Sequence, residues 1–180
     1  MRVPGICVDP LEMASAVARK THGAAGDFDV ELPLTGDPGV ECRSVNSAGL
    51  HTIVISFNNA VTEADASVSA GNISGVPTFS GKTMTVNLSG VPNAQQITVS
   101  LSNVKDGFAQ VLPTASVSMN VLAGDTNGNK AVNATDISQT KSQSGHAASA
   151  ENFRADLNAD GSISASDISL VKAASGSFVP

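Results

Sequence analysis

The twelve residues from Asp125 to Asp136 carry side-chain oxygens at positions 1, 3, 5, 9 and 12, on Asp125, Asn127, Asn129, Asn133 and Asp136. The twelve from Asp156 to Asp167 repeat the scheme with Asp156, Asn158, Asp160, Ser164 and Asp167. Oxygen donors at this spacing suit a hard cation. Calcium takes about six to eight oxygens, and an EF-type loop supplies them from these positions together with a backbone carbonyl from position 7. Ala131 and Ser162 occupy that position, so the two runs imply two calcium ions, one in each loop. The runs align without a gap at an offset of 31 residues, and the match continues through Ile137-Ser138 with Ile168-Ser169 to Ser144-Gly145 with Ser175-Gly176. An incidental Asx-rich turn would not recur in register over such a length.

The two loops are not equivalent. The first offers two carboxylates, Asp125 and Asp136, whereas the second offers three, Asp156, Asp160 and Asp167. Position 6, where the chain turns sharply, is Lys130 in the first and Gly161 in the second, and a left-handed residue bearing a Cβ costs roughly 1 kcal/mol. On both counts the second loop is expected to bind more tightly; Gly128 at position 4 relaxes the first turn, so the expected difference is about tenfold rather than loss of the first site.

Such loops need elements to hold them. A helix is expected to start inside each, capped by Asn133 or Ser164, with Asp136 or Asp167 in its first turn, where negative charge is favourable. Ile137 and Thr140, then Ile168 and Val171, give the helices an inward stripe. Short helices with little core of their own and carboxylates facing one another should depend on metal, so chelation is expected to unfold residues 125–176 and to spare what precedes them.

From Asp27 to Leu122 the apolar residues recur with period two, as half-buried strands require. Phe28, Val30 and Leu32 form one such set; His51, Ile53, Ile55 and Phe57 another; Met84, Val86 and Leu88, Ile97, Val99 and Leu101, and Val117, Met119 and Val121 follow. Turn chemistry separates them at Gly36-Asp37-Pro38-Gly39, Asn58-Asn59, Ser80-Gly81, Val91-Pro92-Asn93 and Asp106-Gly107. About seven short strands at this spacing predict an immunoglobulin-like antiparallel sandwich. The chain therefore reads as multidomain: an arm or tail over residues 1–26, an all-β sandwich over 27–122, and a small all-α pair of calcium loop–helix motifs over 123–180.

The stretches Asp125 to Ser138 and Asp156 to Ser169 resemble the paired repeats of type I dockerins, with Asp in place of Glu at position 12 and no helix before each loop. The resemblance covers Leu122 to Gly176. It implies a secreted module that docks onto a cohesin-like domain, often within a polysaccharide-degrading assembly. The partner-binding surface would include Ala134-Thr135 and Ala165-Ser166, with Lys141-Ser142 and Lys172-Ala173 on the helices, and the internal repetition implies two alternative docking orientations. Ser142-Gln143 and Ala173-Ala174 stand where the family usually places bulky apolar residues after Lys, which weakens the apolar patch. The stretch Arg19 to Gly36, continuing through Val40-Glu41-Cys42-Arg43, resembles uncharacterised modules that precede dockerin-like repeats near the C-terminus of large bacterial extracellular proteins.

Composition narrows the remaining classes. With a net charge of −6 and neither Trp nor Tyr among its 180 residues, the chain has no basic stripe for phosphates and no large rings for stacking bases or sugars. Nucleic acid is not expected as a partner, and no apolar run is long enough to cross a membrane. Pro4, Asp9, Pro10 and Glu12 interrupt the start of the chain where a secretory signal would need an apolar core. The expectation is an extracellular C-terminal segment of a secreted protein, with a cytoplasmic protein as the other reading. Cys7 and Cys42 leave open one bridge or two unrelated thiols. Asp27, Asp29, Glu31 and Glu41 could in principle furnish a glycosidase pair, and His22 or His51 a general base, but alternation on a strand and the lack of a serine-elbow motif favour ordinary structural roles. No catalytic residue is assigned. The alternative to a docking segment is a small calcium-dependent hydrolase of ester, lactone or glycosidic bonds.

Overall fold

The computed structural model describes residues 9–44 and 48–180; Cys7, and with it the question of a bridge to Cys42, lies outside them. Among the described residues ten strands come first: β1 (Met13–Thr21), β2 (Asp27–Glu31), β3 (Gly39–Glu41), β4 (His51–Phe57), β5 (Val61–Val68), β6 (Asn72–Ile73), β7 (Thr78–Ser80), β8 (Thr83–Ser89), β9 (Gln95–Asp106) and β10 (Val111–Val121). Two helices follow, α1 (Ala134–Ser142) and α2 (Ala165–Ala174). One sheet runs in the order β2-β1-β4-β8-β6, with β7 also paired to β8, and the other in the order β3-β10-β9-β5. Among the described residues all strand pairings are antiparallel except β3 with β10, where Gly39, Val40 and Glu41 run parallel to Met119, Asn120 and Val121. No helix is long and apolar enough to cross a membrane among the described residues.

The alternation read from the sequence places the strands. In β4 every second residue from His51 to Phe57 is buried, and Met84, Val86 and Leu88 do the same in β8. Ile53 and Val86 from the first sheet share one apolar cluster with Val99, Leu101 and Met119 from the second, so the two sheets are joined by burying the apolar face of each.

The segment before Asp27 corrects the expectation of an arm or tail. β1 lies inside the first sheet, hydrogen-bonded to β2 on one side and β4 on the other. Its inward positions are Ala16, Ala18 and Lys20, all buried. Two methyl groups and an amine give no hydrophobic alternation, although alanine is what a closely packed inner strand has room for.

Several charged groups are buried beside this strand. Glu41 and Arg43 are each 1% exposed, and the carboxylate meets the guanidinium twice, at 2.8 and 2.7 Å. Burial alone would raise the Glu41 pKa, but the charge and hydrogen bonds of Arg43 prevail and hold it at about 2. The Lys20 amine donates to the Leu50 carbonyl at 2.7 Å, and burial lowers its pKa. Burial, reinforced by the Lys20 charge, lowers His51 to about 4, and its Nδ1 finds no hydrogen-bond partner among the described residues.

A pH dependence follows from His51. Its folded pKa of about 4 lies below the ordinary 6.5, so between these values the unfolded chain takes up a proton that the folded chain refuses. Stability must fall as pH is lowered through that window. Urea unfolding at pH 7 and pH 4.5 should show His51→Phe losing less stability than wild type, by about 2 kcal/mol. Equal losses in the two proteins would exclude His51 as the cause.

Candidate functional site

Each loop is built by its own side chains accepting from its own backbone. In the first, Asp125 Oδ1 accepts from the N–H groups of Gly128 and Asn129 at 2.8 and 3.1 Å, and Oδ2 from that of Lys130 at 2.8 Å. Asn127 Oδ1 accepts from the Asn129 N–H, and Asn129 Oδ1 from the Ala131 N–H, both at 3.0 Å. In the second, Asp156 accepts from the N–H groups of Asp160 and Gly161, Asn158 from that of Asp160, and Asp160 from that of Ser162. These bonds turn the chain through successive Asx turns and fix the direction of the accepting oxygens at positions 1, 3 and 5.

The loops open directly into the helices through a complete capping box at each. Asn133 accepts from the Thr135 N–H at 2.8 Å while Asp136 accepts from the Asn133 N–H at 2.9 Å. Ser164 and Asp167 repeat the arrangement with the N–H groups of Ser166 and Ser164. The position-12 carboxylates therefore have two duties, closing the helix start and reaching back across the loop: Asp136 Oδ1 and Asp167 Oδ1 each accept from the position-3 N–H at 3.3 Å. Asp125, Asp136, Asp156 and Asp167 are all fully buried, whereas Asn127, Asn129 and Asp160 are exposed. Burial, the largest influence, raises the pKa of Asp125 against the pull of its three backbone donors.

The repeats complete one another. Ala131 bridges antiparallel to Phe178, and Ser162 to Ala147; these pairs are related by the same 31-residue offset as the sequence repeat. Thus the segment after α1 closes the second loop, through Ala148 N–H to Gly161 O and Ile163 N–H to His146 O, and the segment after α2 closes the first, through Val132 N–H to Ser177 O and Val179 N–H to Lys130 O. Beneath them Leu122, Val132, Leu157, Val171 and Val179 form a small core, and Val40 of β3 belongs to it.

The donor set of carboxylate, amide, hydroxyl and carbonyl oxygens fits a hard cation such as calcium and has no soft ligand in it. Among the described residues no three His, Cys, Asp or Glu side chains converge as a metal-binding group, so a site in either loop draws on its Asn, Ser and carbonyl oxygens too. Ala134, Thr135, Lys141, Ser142, Ala165, Ser166, Lys172 and Ala173 are all exposed.

Other chemistry suggested by the sequence is not gathered. Asp29 is paired with Arg19 at 2.7 Å on the edge strand β2, and Glu41 is buried against Arg43. Both nitrogens of His22 are committed, one to Arg43 and one to Asp156. Cys42 is buried, which pushes its thiol pKa up to about 11, and its Sγ contacts the Arg154 carbonyl at 3.5 Å. The contact between His22 and the second loop was not foreseen. Its one trace in the sequence is a pair of opposite charges, Glu41 and Arg43, two residues apart in an apolar stretch, where strand geometry puts both on one face.

A twinned loop–helix module with oxygen donors in register, joined to two β-sheets, is the class of structure these features define. Residues 123–174 match the family model of the dockerin type I domain. Type I dockerin domains bind calcium and dock onto cohesin domains. No curated protein matches the chain. No solved structure matches it either.

The backbone corrects one part of the expected inequality between loops. Lys130 is left-handed, with φ 69°, and Gly161 takes φ 97°, as position 6 requires. At position 4, however, the roles reverse: Gly128 has φ 75° in the first loop and Ala159 has φ 54° in the second. Each loop holds one strained residue with a Cβ, so strain does not separate them. Replacing either with glycine removes a penalty of about 1–2 kcal/mol and adds about 0.4–1 kcal/mol of unfolded-state entropy. Lys130→Gly and Ala159→Gly should each raise the thermal midpoint slightly and to a similar extent; a gain confined to Lys130→Gly would restore the original asymmetry.

Proposed function

We propose that the chain is a non-catalytic, calcium-dependent docking segment of an extracellular protein. In this reading residues 123–180 bind two calcium ions, through Asp125, Asn127, Asn129, the Ala131 carbonyl, Asn133 and Asp136 in the first loop. Asp156, Asn158, Asp160, the Ser162 carbonyl, Ser164 and Asp167 serve the second. An immunoglobulin-like sandwich, reaching to about residue 122, holds the docking module away from whatever it is attached to. The observation that carries the proposal is the pair of closed, capped loops, and it is supported by the exposure of the eight positions proposed to meet a partner. A polysaccharide-degrading assembly is the setting that the dockerin likeness favours.

With strain balanced, ligand charge still ranks the loops. Three carboxylates against two favour the second, and the part of the affinity difference that charge supplies is several-fold. Calorimetric titration with calcium of Asp125→Ala, which leaves the second loop intact, should give a smaller Kd than titration of Asp156→Ala. The reverse order would show that carboxylate number does not govern these sites.

Docking is tested with immobilised cohesin domains in calcium and in chelator. Binding should require calcium. Replacing Ala134 and Thr135 with Arg, or Ala165 and Ser166 with Arg, should leave binding near wild type, because the repeat supplies a second orientation; replacing all four should abolish it. Loss of binding from either pair alone would rule out two orientations, and calcium-independent binding would rule out the mechanism.

A further inference from the structure

Among the described residues the first carboxylate of the second loop has a partner from outside the repeats, and that of the first loop has none. Asp125 receives three backbone N–H groups from its own loop, whereas Asp156 receives two, from Asp160 and Gly161. The remaining contact comes from outside the repeats: His22 Nδ1 lies 2.8 Å from Asp156 Oδ2, with both side chains fully buried.

The direction of that bond is determined. His22 Nε2 lies 3.0 Å from Arg43 Nη1. A guanidinium only donates, so Nε2 accepts, the ring proton sits on Nδ1, and Nδ1–H donates to the Asp156 carboxylate. The ring cannot turn away. Arg43 is anchored by Glu41 and by the carbonyls of Phe28 and Ala18 at 2.8 and 2.9 Å. The imidazole meets the Phe28 ring edge-on at 5.2 Å, and Phe28 stacks on Phe153 at 5.4 Å.

The backbones abut as closely as the side chains. A Cβ on Gly23 would come within 2.3 Å of the Asp160 carbonyl oxygen, and a Cβ on Gly161 within 2.8 Å of the His22 carbonyl oxygen. The turn after β1 is therefore seated against positions 5 and 6 of the second loop.

We propose that His22 is a positioning residue for the first carboxylate of the second calcium loop, so that the β-sheet module sets the affinity of that loop and senses whether it is filled. The inference rests on the calcium reading given above. Partners that orient a metal-binding carboxylate typically change affinity by about 10–100-fold when removed. Linkage makes the effect reciprocal: metal in the second loop steadies the turn at residues 22–26.

The test is a calcium titration of the full chain by calorimetry, with calcium as the only ligand. In the Asp125→Ala background, where the second loop remains, adding His22→Phe should weaken binding by about tenfold or more. In the Asp156→Ala background, where the first loop remains, the same change should leave the Kd unaltered. His22→Asn can place an amide nitrogen where Nδ1 stood, and it should recover much of the loss. A merely structural role would weaken both loops together and gain nothing from Asn, and that result overturns the proposal, as does a second loop indifferent to His22→Phe.

Hydrogen exchange decides the matter even if His22→Phe does not fold. Calcium should slow exchange of the His22 and Ala25 amides, which bond to Gly26 O and His22 O, in Asp125→Ala but not in Asp156→Ala. Binding at the second loop without such slowing overturns the proposal alone. Absence of any calcium binding in the unmutated chain overturns the calcium reading, and the proposal with it.

Discussion

Arg43 is 1% exposed and carries a charge it cannot lose, so each of its five N–H donors has to be met inside the protein. Two reach the Glu41 carboxylate, and the others reach the carbonyls of Ala18 and Phe28 and Nε2 of His22. These acceptors belong to β1, β2, β3 and the turn after β1, and satisfying the guanidinium fixes where those pieces stand relative to one another. Leaving such a charge unpaired costs about 3–5 kcal/mol. Its stacking over Phe153 at 5.1 Å extends the same constraint to the entry of the second loop.

From this cation a chain of polar contacts runs without a gap from β3 to the second loop. In the first loop the corresponding external support is of a different kind. Arg154 donates to the carbonyls of Thr126 and Asp125 at 2.8 and 3.0 Å, so it braces backbone and leaves the carboxylate to its own loop. Two copies of one sequence pattern are thus held by unlike means: one by an arginine that follows the first repeat, the other by a histidine more than a hundred residues upstream.

How much of this the sequence revealed depended on the range of the interaction. The capping residues Asn133 and Ser164, the first-turn acids and the buried alternation of β4 and β8 are local, and each was readable from spacing alone. β1 was not, because Ala16, Ala18 and Lys20 bury small or charged groups and leave no periodic signature. The strain assigned to Lys130 was correct for that residue, but the equal strain at Ala159 escaped because alanine at position 4 carries no warning of a positive φ. His22 and Asp156 lie 134 residues apart, and no periodicity connects them. Only the fold brings them together.

The crossed closure of the repeats bears on the order in which the chain is made. Emerging from the ribosome N-terminus first, the second loop already has its pairing segment at residues 145–148 behind it. The first loop is synthesised earlier but stays open until residues 176–179 appear. The loop translated first is therefore the one completed last, and during that interval its donors at Asp125 to Asp136 are held by their own turns and, once it is made, by Arg154. The His22 turn and the Arg43 cluster, made long before, are by contrast waiting when Asp156 arrives.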